Sequence, residues 1–302
     1  MGTTIRHITG EQQLMLEMIN RGRMDPLAEA ARFGIDLDQG LEPGTIQAEP
    51  MQALAWNDDL WDAAIAHSDW MLEADVFSHT GEGGSAPTDW IRKAGYDLDG
   101  SWSTGENLAY YGTSGDLDLE VAMRAHYDGL FMSPGHRVNT LNAGFREIGI
   151  SQETGIFTRD GNGLHASMVT ENFGLSGAGI FLTGVAYDDA DEDRFYGMGE
   201  GARGTRIEVG GAAATSAMAG GYTLELGALE GPTLVRATHE GKVLRALVDL
   251  GESNVKLDLV DGERLESSAN LVLGRGGCGW SAVGRGGSRP ARQRGGKRPL
   301  GQ

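Results

Sequence analysis

The chain has 302 residues, with 25 basic and 43 acidic side chains, a net charge of −18 and an isoelectric point near 4.7. That length accommodates two domains with separate cores and excludes a peptide-like scaffold. The acidic surface argues against nucleic acid as a partner, because phosphates would be repelled, and favours cations. The single cysteine, Cys278, excludes an internal disulfide framework and a cysteine-built zinc site.

The first residues, MGTTIRHITGEQQLMLEMINRGRMDP, lack a continuous apolar h-region, and no later stretch approaches the ~18 consecutive apolar residues that span a bilayer. The expectation is a chain with neither a classical cleaved signal nor a transmembrane segment. Export by a route reading other signals and a cytoplasmic address both fit.

In chain order, Glu11 to Ile19 carries Leu14, Met15, Met18 and Ile19 at helical spacing, and Pro26 ends that run or starts a second through Phe33. Asp58 to Val76 is the clearest helix, with Leu60, Trp61, Ala64, Ile65, Met71, Leu72 and Val76 available for an apolar face. Pro87 to Ala94 reads as a short helix with proline at an early position, and Asp116 to Leu130 as an acid-capped one. Strands are expected at Glu106 to Tyr111, Glu147 to Gln152 and His165 to Phe173, and "SPGH", residues 133 to 136, as a turn feeding the second of these. The mixture places this first block in the α/β or α+β class.

From about residue 179 the pattern changes. IFLTGVAY, TRIEVGG, GYTLEL, PTLVRATHE, KVLRALVDL and NVKLDLVD recur between Gly, Asp and Asn turns, which predicts a small β-sandwich over 179–265. "NFGLSGAG", residues 172 to 179, is the linker. Residues 274–302 hold ten of the 48 glycines and seven basic residues without an acid. Setting those seven aside leaves 18 basic and 43 acidic residues in the first 273, a net charge of −25 against +7. Such a tail lacks the aliphatic density to order itself. It reads as a polyanion-binding segment or as sequence with no selected role, the second preferred, and Cys278 falls within it.

Imidazoles beside carboxylates bind divalent metals or move protons, because the carboxylate fixes the ring tautomer and raises its basicity. His79 in "DVFSHTG", His136 in "SPGHR", Glu106 in "TGENLAYYG" and Glu147 in "FREIGIS" all lie at ends of predicted elements beside glycine, where a scaffold presents side chains. From spacing alone each histidine reads first as a turn or capping residue. His7 and His239 sit in polar surroundings, His67 and His126 fall mid-helix and His165 opens a strand, and none of these is expected at a site.

The segments FSHTG, GENLA, SPGHRVNTLN, REIGIS and MVTENFG occur in the order and approximate spacing of the CAP superfamily, the SCP or PR-1-like domain of cysteine-rich secretory proteins. LEMINRGRMDPLAEAARFGIDL and HSDWM resemble its bacterial, cysteine-free branch, and the resemblance spans roughly residues 10–175. It implies an α-β-α sandwich with a central cleft lined by His79, Glu106, His136 and Glu147. It also implies that the histidines hold a divalent metal such as zinc, glutamates and waters completing the site. The tryptophan often found before the serine of the GHR motif is replaced by DGLFM, so the cleft departs from the family in shape.

A second constellation, DDADEDRFYGMGE, places Asp189, Asp191, Asp193, the Phe195 carbonyl and Glu200 at positions 1, 3, 5, 7 and 12 of a calcium loop. Arg194 stands where glycine normally makes the sharp turn; the alternative is an acidic solvated hairpin. This block resembles small β-sandwich modules of bacterial surface proteins.

The sequence therefore predicts an α+β protein: a CAP-like α-β-α sandwich over 10–175, an all-β sandwich over 179–265 and a disordered basic tail over 274–302. The leading functional expectation is an extracellular protein binding a divalent metal, zinc foremost, and a small or lipid-like ligand in the two-His, two-Glu cleft, with calcium in the sandwich loop. The rivals are a metal-dependent hydrolase or protease with Glu106 or Glu147 as general base, and a non-catalytic surface module.

Overall fold

The computed structural model of the protein describes residues 8–226, 231–269 and 271–272. The expected basic tail, with Cys278, lies outside the described residues.

The first unit is built on a five-stranded sheet. Its long central strand β5 (Asn162–Ser176) pairs along one edge with β2 (Trp102–Thr113). Its other edge carries first β4 (Glu153–Arg159) and then β3 (Glu147–Ile150), and β3 pairs in parallel with the short β1 (Ala55–Trp56). The order β1-β3-β5-β2 leaves β2 as an edge strand. One face is covered by α3 (Asp58–Glu73) and α4 (Pro87–Ala94), the other by α1 (Gly10–Met24), α5 (Leu119–Met132) and α6 (Pro134–Thr140); α2 (Pro26–Arg32) packs on α1. This is the α-β-α sandwich the resemblance implies.

Local chemistry starts these helices where they start. Thr9 accepts from the Gln12 amide while the Gln12 side chain accepts from the Thr9 amide, a reciprocal cap for α1. Asn57 accepts from the amides of Asp59 and Leu60 at the head of α3, and Asp118 from Val121 at the head of α5. In α3 the buried stripe is Leu60, Ala63, Ala64, His67 and Met71, one face of a 3.6-residue period. The expected turn at Ser133 to His136 is instead the start of α6: Pro134 takes the first helical position, where its fixed φ suits the helix and its missing N–H is not needed. A Cβ at Gly149 would collide with the Trp61 backbone nitrogen, so the absent side chain is what lets α3 settle against β3.

The second unit comprises two sheets. One has the order β13-β12-β6-β9, from β6 (Ile180–Tyr187), β9 (Gly221–Leu226), β12 (Val255–Val260) and β13 (Arg264–Ser267). The other is β14-β11-β10-β7-β8, from β7 (Arg206–Val209), β8 (Ala212–Thr215), β10 (Pro232–His239), β11 (Lys242–Asp249) and β14 (Leu271–Val272). Both sheets contribute to one core, Leu182, Tyr222, Leu224 and Leu257 from the first meeting Ile207, Val209, Val235 and Val248 from the second.

The two units are not insulated from each other. Val185, Tyr187, Tyr196, Ala219 and Val260 belong to the same hydrophobic cluster as Met15, Met18 and Ile19 of α1. Beside this apolar junction lies a buried charged one: Lys256 of β12 donates to Glu17 of α1 at 2.8 Å and to Asp258 of its own strand. Asn254 adds bonds to the carbonyls of Ala53 and Arg146.

Candidate functional site

Three of the four predicted cleft residues converge on the edge strand β2. Glu106 sits in this strand with its side chain turned to the α3 face and almost wholly buried. His79, in the loop after α3, is more than half exposed and donates from Nδ1 to Glu106 Oε1 at 2.7 Å. Because a carboxylate only accepts, this bond assigns the His79 proton to Nδ1 and leaves Nε2 with its lone pair free. His136 arrives from the opposite helical layer on α6, half-buried, with no hydrogen bond to its ring among the described residues.

The GEN segment anchors both halves. The Glu106 side chain holds His79, while its backbone carbonyl accepts from Asn139 Nδ2 of α6 at 3.1 Å. Asn107 Nδ2 donates to the His136 carbonyl at 3.3 Å and to Glu171 at 2.9 Å. Arg137, buried beside His136, ties α6 down by donating to the carbonyls of Leu37, Phe131, Met132 and Gln39. The arginine of "GHR" thus braces the backbone and the histidine is what it presents.

The two imidazoles are shifted in opposite directions. The hydrogen bond to Glu106 holds the His79 proton more tightly than usual, raising its pKa. Burial lowers that of His136, and the charge of His79 lowers it further. His136 is therefore readily neutral, the state a metal ligand needs. Beside it opens a mostly apolar cavity of about 280 Å³, lined by Phe77, Leu108, Tyr110, His126, Gly129 and Leu130 among others. Gly129 and Leu130 belong to the DGLFM departure, so the family's missing tryptophan bears directly on this wall. His126 is kept neutral by burial, its pKa pushed down to about 4, and its Nε2 meets Ser167 Oγ at 3.0 Å.

Glu147 is not brought together with the other three. Gly174, its partner across the ladder, leaves room for Tyr96, whose hydroxyl donates to Glu147 at 2.7 Å, and Asn57 donates to the other oxygen at 2.7 Å. Burial raises its pKa against those hydrogen bonds, and the carboxylates of Glu225 and Asp59 add to the rise. Glu147 opens into a different cavity, of about 660 Å³, at the junction with the second unit, which shares no lining residue with the His136 cavity.

Sequence reasoning passed over His67. It is fully buried, and its Nδ1 donates to Glu106 Oε2 at 2.8 Å, so one carboxylate is shared by a buried and an exposed imidazole. The signal was present: the register of α3 puts a histidine on its apolar stripe, and a buried polar group requires a partner.

In the second unit the structure gathers three of the five calcium-loop positions. One carboxylate oxygen each from Asp189, Asp191 and Asp193 lies within 4.8 Å of the others, and among the described residues this is the one such group of three His, Cys, Asp or Glu side chains. Arg194 takes the left-handed backbone, φ 66°, that glycine normally supplies there. Glu200 is turned instead to the amides of Ala190 and Gly197. The loop leaves Phe195 in the chain turn, its amide donating to Asp193.

An α-β-α layer with paired histidines over an edge strand defines the class of the first unit. Residues 16–156 match the family model described as CAP, the cysteine-rich secretory protein family, so this unit is a CAP domain. Two solved structures are similar. An extracellular protein containing an SCP domain from Bacillus anthracis str. Ames is 24% identical, with a TM-score of 0.31 over 46% of this chain and 42% of that one. An outer surface protein from Borrelia burgdorferi is 19% identical, with a TM-score of 0.35 over 59% of this chain and all of that one. The chain thus spans under half the length of the first. No curated protein matches. Among the described residues no helix is long and apolar enough to cross a membrane.

Proposed function

We propose that the chain is an exported CAP-domain binding protein whose edge-strand cleft holds a divalent metal on His79 and His136 and takes a small, lipid-like ligand in the adjoining cavity. The observation that carries this reading is the Glu106–His79 bond: it fixes the Nδ1–H tautomer and presents Nε2 as a ligand, the arrangement by which a carboxylate prepares a metal-binding histidine. Two neutral imidazoles with the remaining positions open to water suit zinc, which would act there as a Lewis acid or as an anchor for a polar head group. The apolar lining beside His136 supplies a surface for a hydrocarbon portion. The secretory character in the family's description supports the extracellular address.

Binding is favoured over hydrolysis by the engagement of the acids. A hydrolase needs a carboxylate able to take a proton from water at the metal. Both oxygens of Glu106 already accept from imidazoles, and Glu147 faces the other cavity. For the second unit, the converging carboxylates of Asp189, Asp191 and Asp193 support calcium as the loop's ligand.

The test is metal analysis of protein purified without chelator, paired with the variant His79→Ala/His136→Ala. Stoichiometric zinc in the parent, lost in the variant with an unchanged circular dichroism spectrum, is the expected result; equal uptake by both would overturn the cleft assignment.

A further inference from the structure

His67 has three properties that a helix-core histidine does not need. Its ring packs against a pair of touching indoles, stacked on Trp90 at 5.5 Å and 16° and on Trp70 at 5.9 Å and 28°. Its Nε2 is buried with no hydrogen-bond partner. Its single polar bond goes to the carboxylate that also orients His79. A fully enclosed ring held by packing cannot reach a metal in the cleft, so any influence it has there passes through Glu106.

That influence follows from accounting for the two carboxylate oxygens. With its side chain almost wholly buried, Glu106 must have both satisfied from within the protein. His67 satisfies Oε2 and, being immobile, fixes the plane of the carboxylate; only then does Oε1 point at His79 Nδ1. Remove the His67 donor and Oε2 becomes a buried acceptor without a partner, so the carboxylate rotates to find a new one and releases His79. The exposed histidine has no comparable packing of its own, being more than half open to solvent. Gly149 belongs to the same device, since the close approach of α3 that it permits is what brings His67 within reach of the strand.

We propose that His67 is a positioning residue for His79, setting the orientation and tautomer of that ligand through the shared carboxylate of Glu106. The inference rests on the reading of His79 as a metal ligand only for its consequence in metal affinity; the tautomer claim stands on the metal-free protein.

The experiment compares His67→Leu, which removes the donor, with His67→Asn, whose Nδ2 replaces the ring Nδ1 as donor. Two readouts are taken on the full chain: cobalt(II) affinity from its visible absorption, and the His79 tautomer in metal-free protein from long-range proton–nitrogen correlation spectra. Leucine is expected to weaken cobalt binding roughly 10- to 100-fold, as loss of an outer-shell partner does, and to mix the His79 tautomers. Asparagine is expected to restore both. Equal affinities and an unchanged Nδ1–H tautomer in both variants would overturn the proposal. If the wild-type protein takes up no cobalt, the metal reading fails and the tautomer alone decides the positioning role. If the leucine variant does not fold, His67→Gln, which displaces the donor along the side chain, replaces it with the same expectation.

Discussion

Replacing Glu106 by glutamine tests the core of the site with almost no change of shape. Glutamine offers one acceptor oxygen and one NH2 where the carboxylate offers two acceptors, so whichever way it lies, an NH2 faces the Nδ1–H of His67 or of His79. One of the two imidazoles must then change tautomer or lose its bond. If the buried His67 loses it, a charge-assisted hydrogen bond worth about 1.5–3 kcal/mol disappears. The bond to His79 is screened by solvent on its exposed side and adds little to stability, but its loss frees the ring, and zinc affinity should fall about 10- to 100-fold. The pH dependence carries a sign. The raised His79 pKa means that the stability of the pair is present in acid, below the unfolded value, and is lost as pH climbs through the elevated folded one. Stabilising the imidazolium keeps a second proton on Nε2, which metal must displace, so zinc uptake should rise with pH in the wild-type protein and shift to lower pH in Glu106→Gln, where the cation is no longer stabilised by the carboxylate. Calorimetric zinc titrations at several pH values, with the His79 titration followed by NMR, measure both effects. A variant that binds zinc like the parent and whose His79 titrates at the same pH would refute the carboxylate clamp.

Three further outcomes follow from the packing. Glu171 is fully buried beneath α6 and its pKa is pushed by burial up to about 7 from 4.5, so stability present below the unfolded value is lost progressively up to the folded one, about 3 kcal/mol in total. Glu171→Gln keeps an acceptor for Asn107 and should melt higher than the parent at pH 8 but level with it near pH 4; an equal difference at both would refute the assignment. Lys256→Met leaves the buried Glu17 and the half-buried Asp258 without their cation and should cost about 3–5 kcal/mol in chemical denaturation, an expectation sunk by a loss below about 1 kcal/mol. Calcium in excess should raise the melting temperature by binding the native state alone, and Asp191→Ala with Asp193→Ala should remove the shift; a shift that survives both changes would count against the loop.

The parts of the fold governed by local pattern were legible. The helix Pro87–Ala94 was read with both boundaries intact, and Leu60, Ala64 and Met71 marked the face of α3. What failed was governed by partners distant in sequence. Pro134-Gly135 has the same composition whether it makes a turn or opens a helix, and Arg137, bonded to carbonyls nearly a hundred residues away, helps decide for the helix. β4 escaped notice because its faces are mostly solvated and only its pairing with β5 makes it a strand. At the site, motif order led to His79, Glu106 and His136. Glu147 shares the α3 face of the sheet, but Tyr96 and Asn57 draw it to another cavity, a competition that no spacing reveals. His67 was hidden by its mid-helix position, although its place on the apolar stripe was readable.

The cluster that joins Met15, Met18 and Ile19 to Val185, Tyr187 and Val260 changes what counts as a part of this protein. The composition shifts near residue 176, but a fragment cut there would bare an apolar surface on α1 together with the carboxylate of Glu17, stripped of Lys256. Composition and packing therefore divide this chain at different places. The two units share one buried cluster, and a truncation after residue 176 should yield aggregate where the longer chain yields protein.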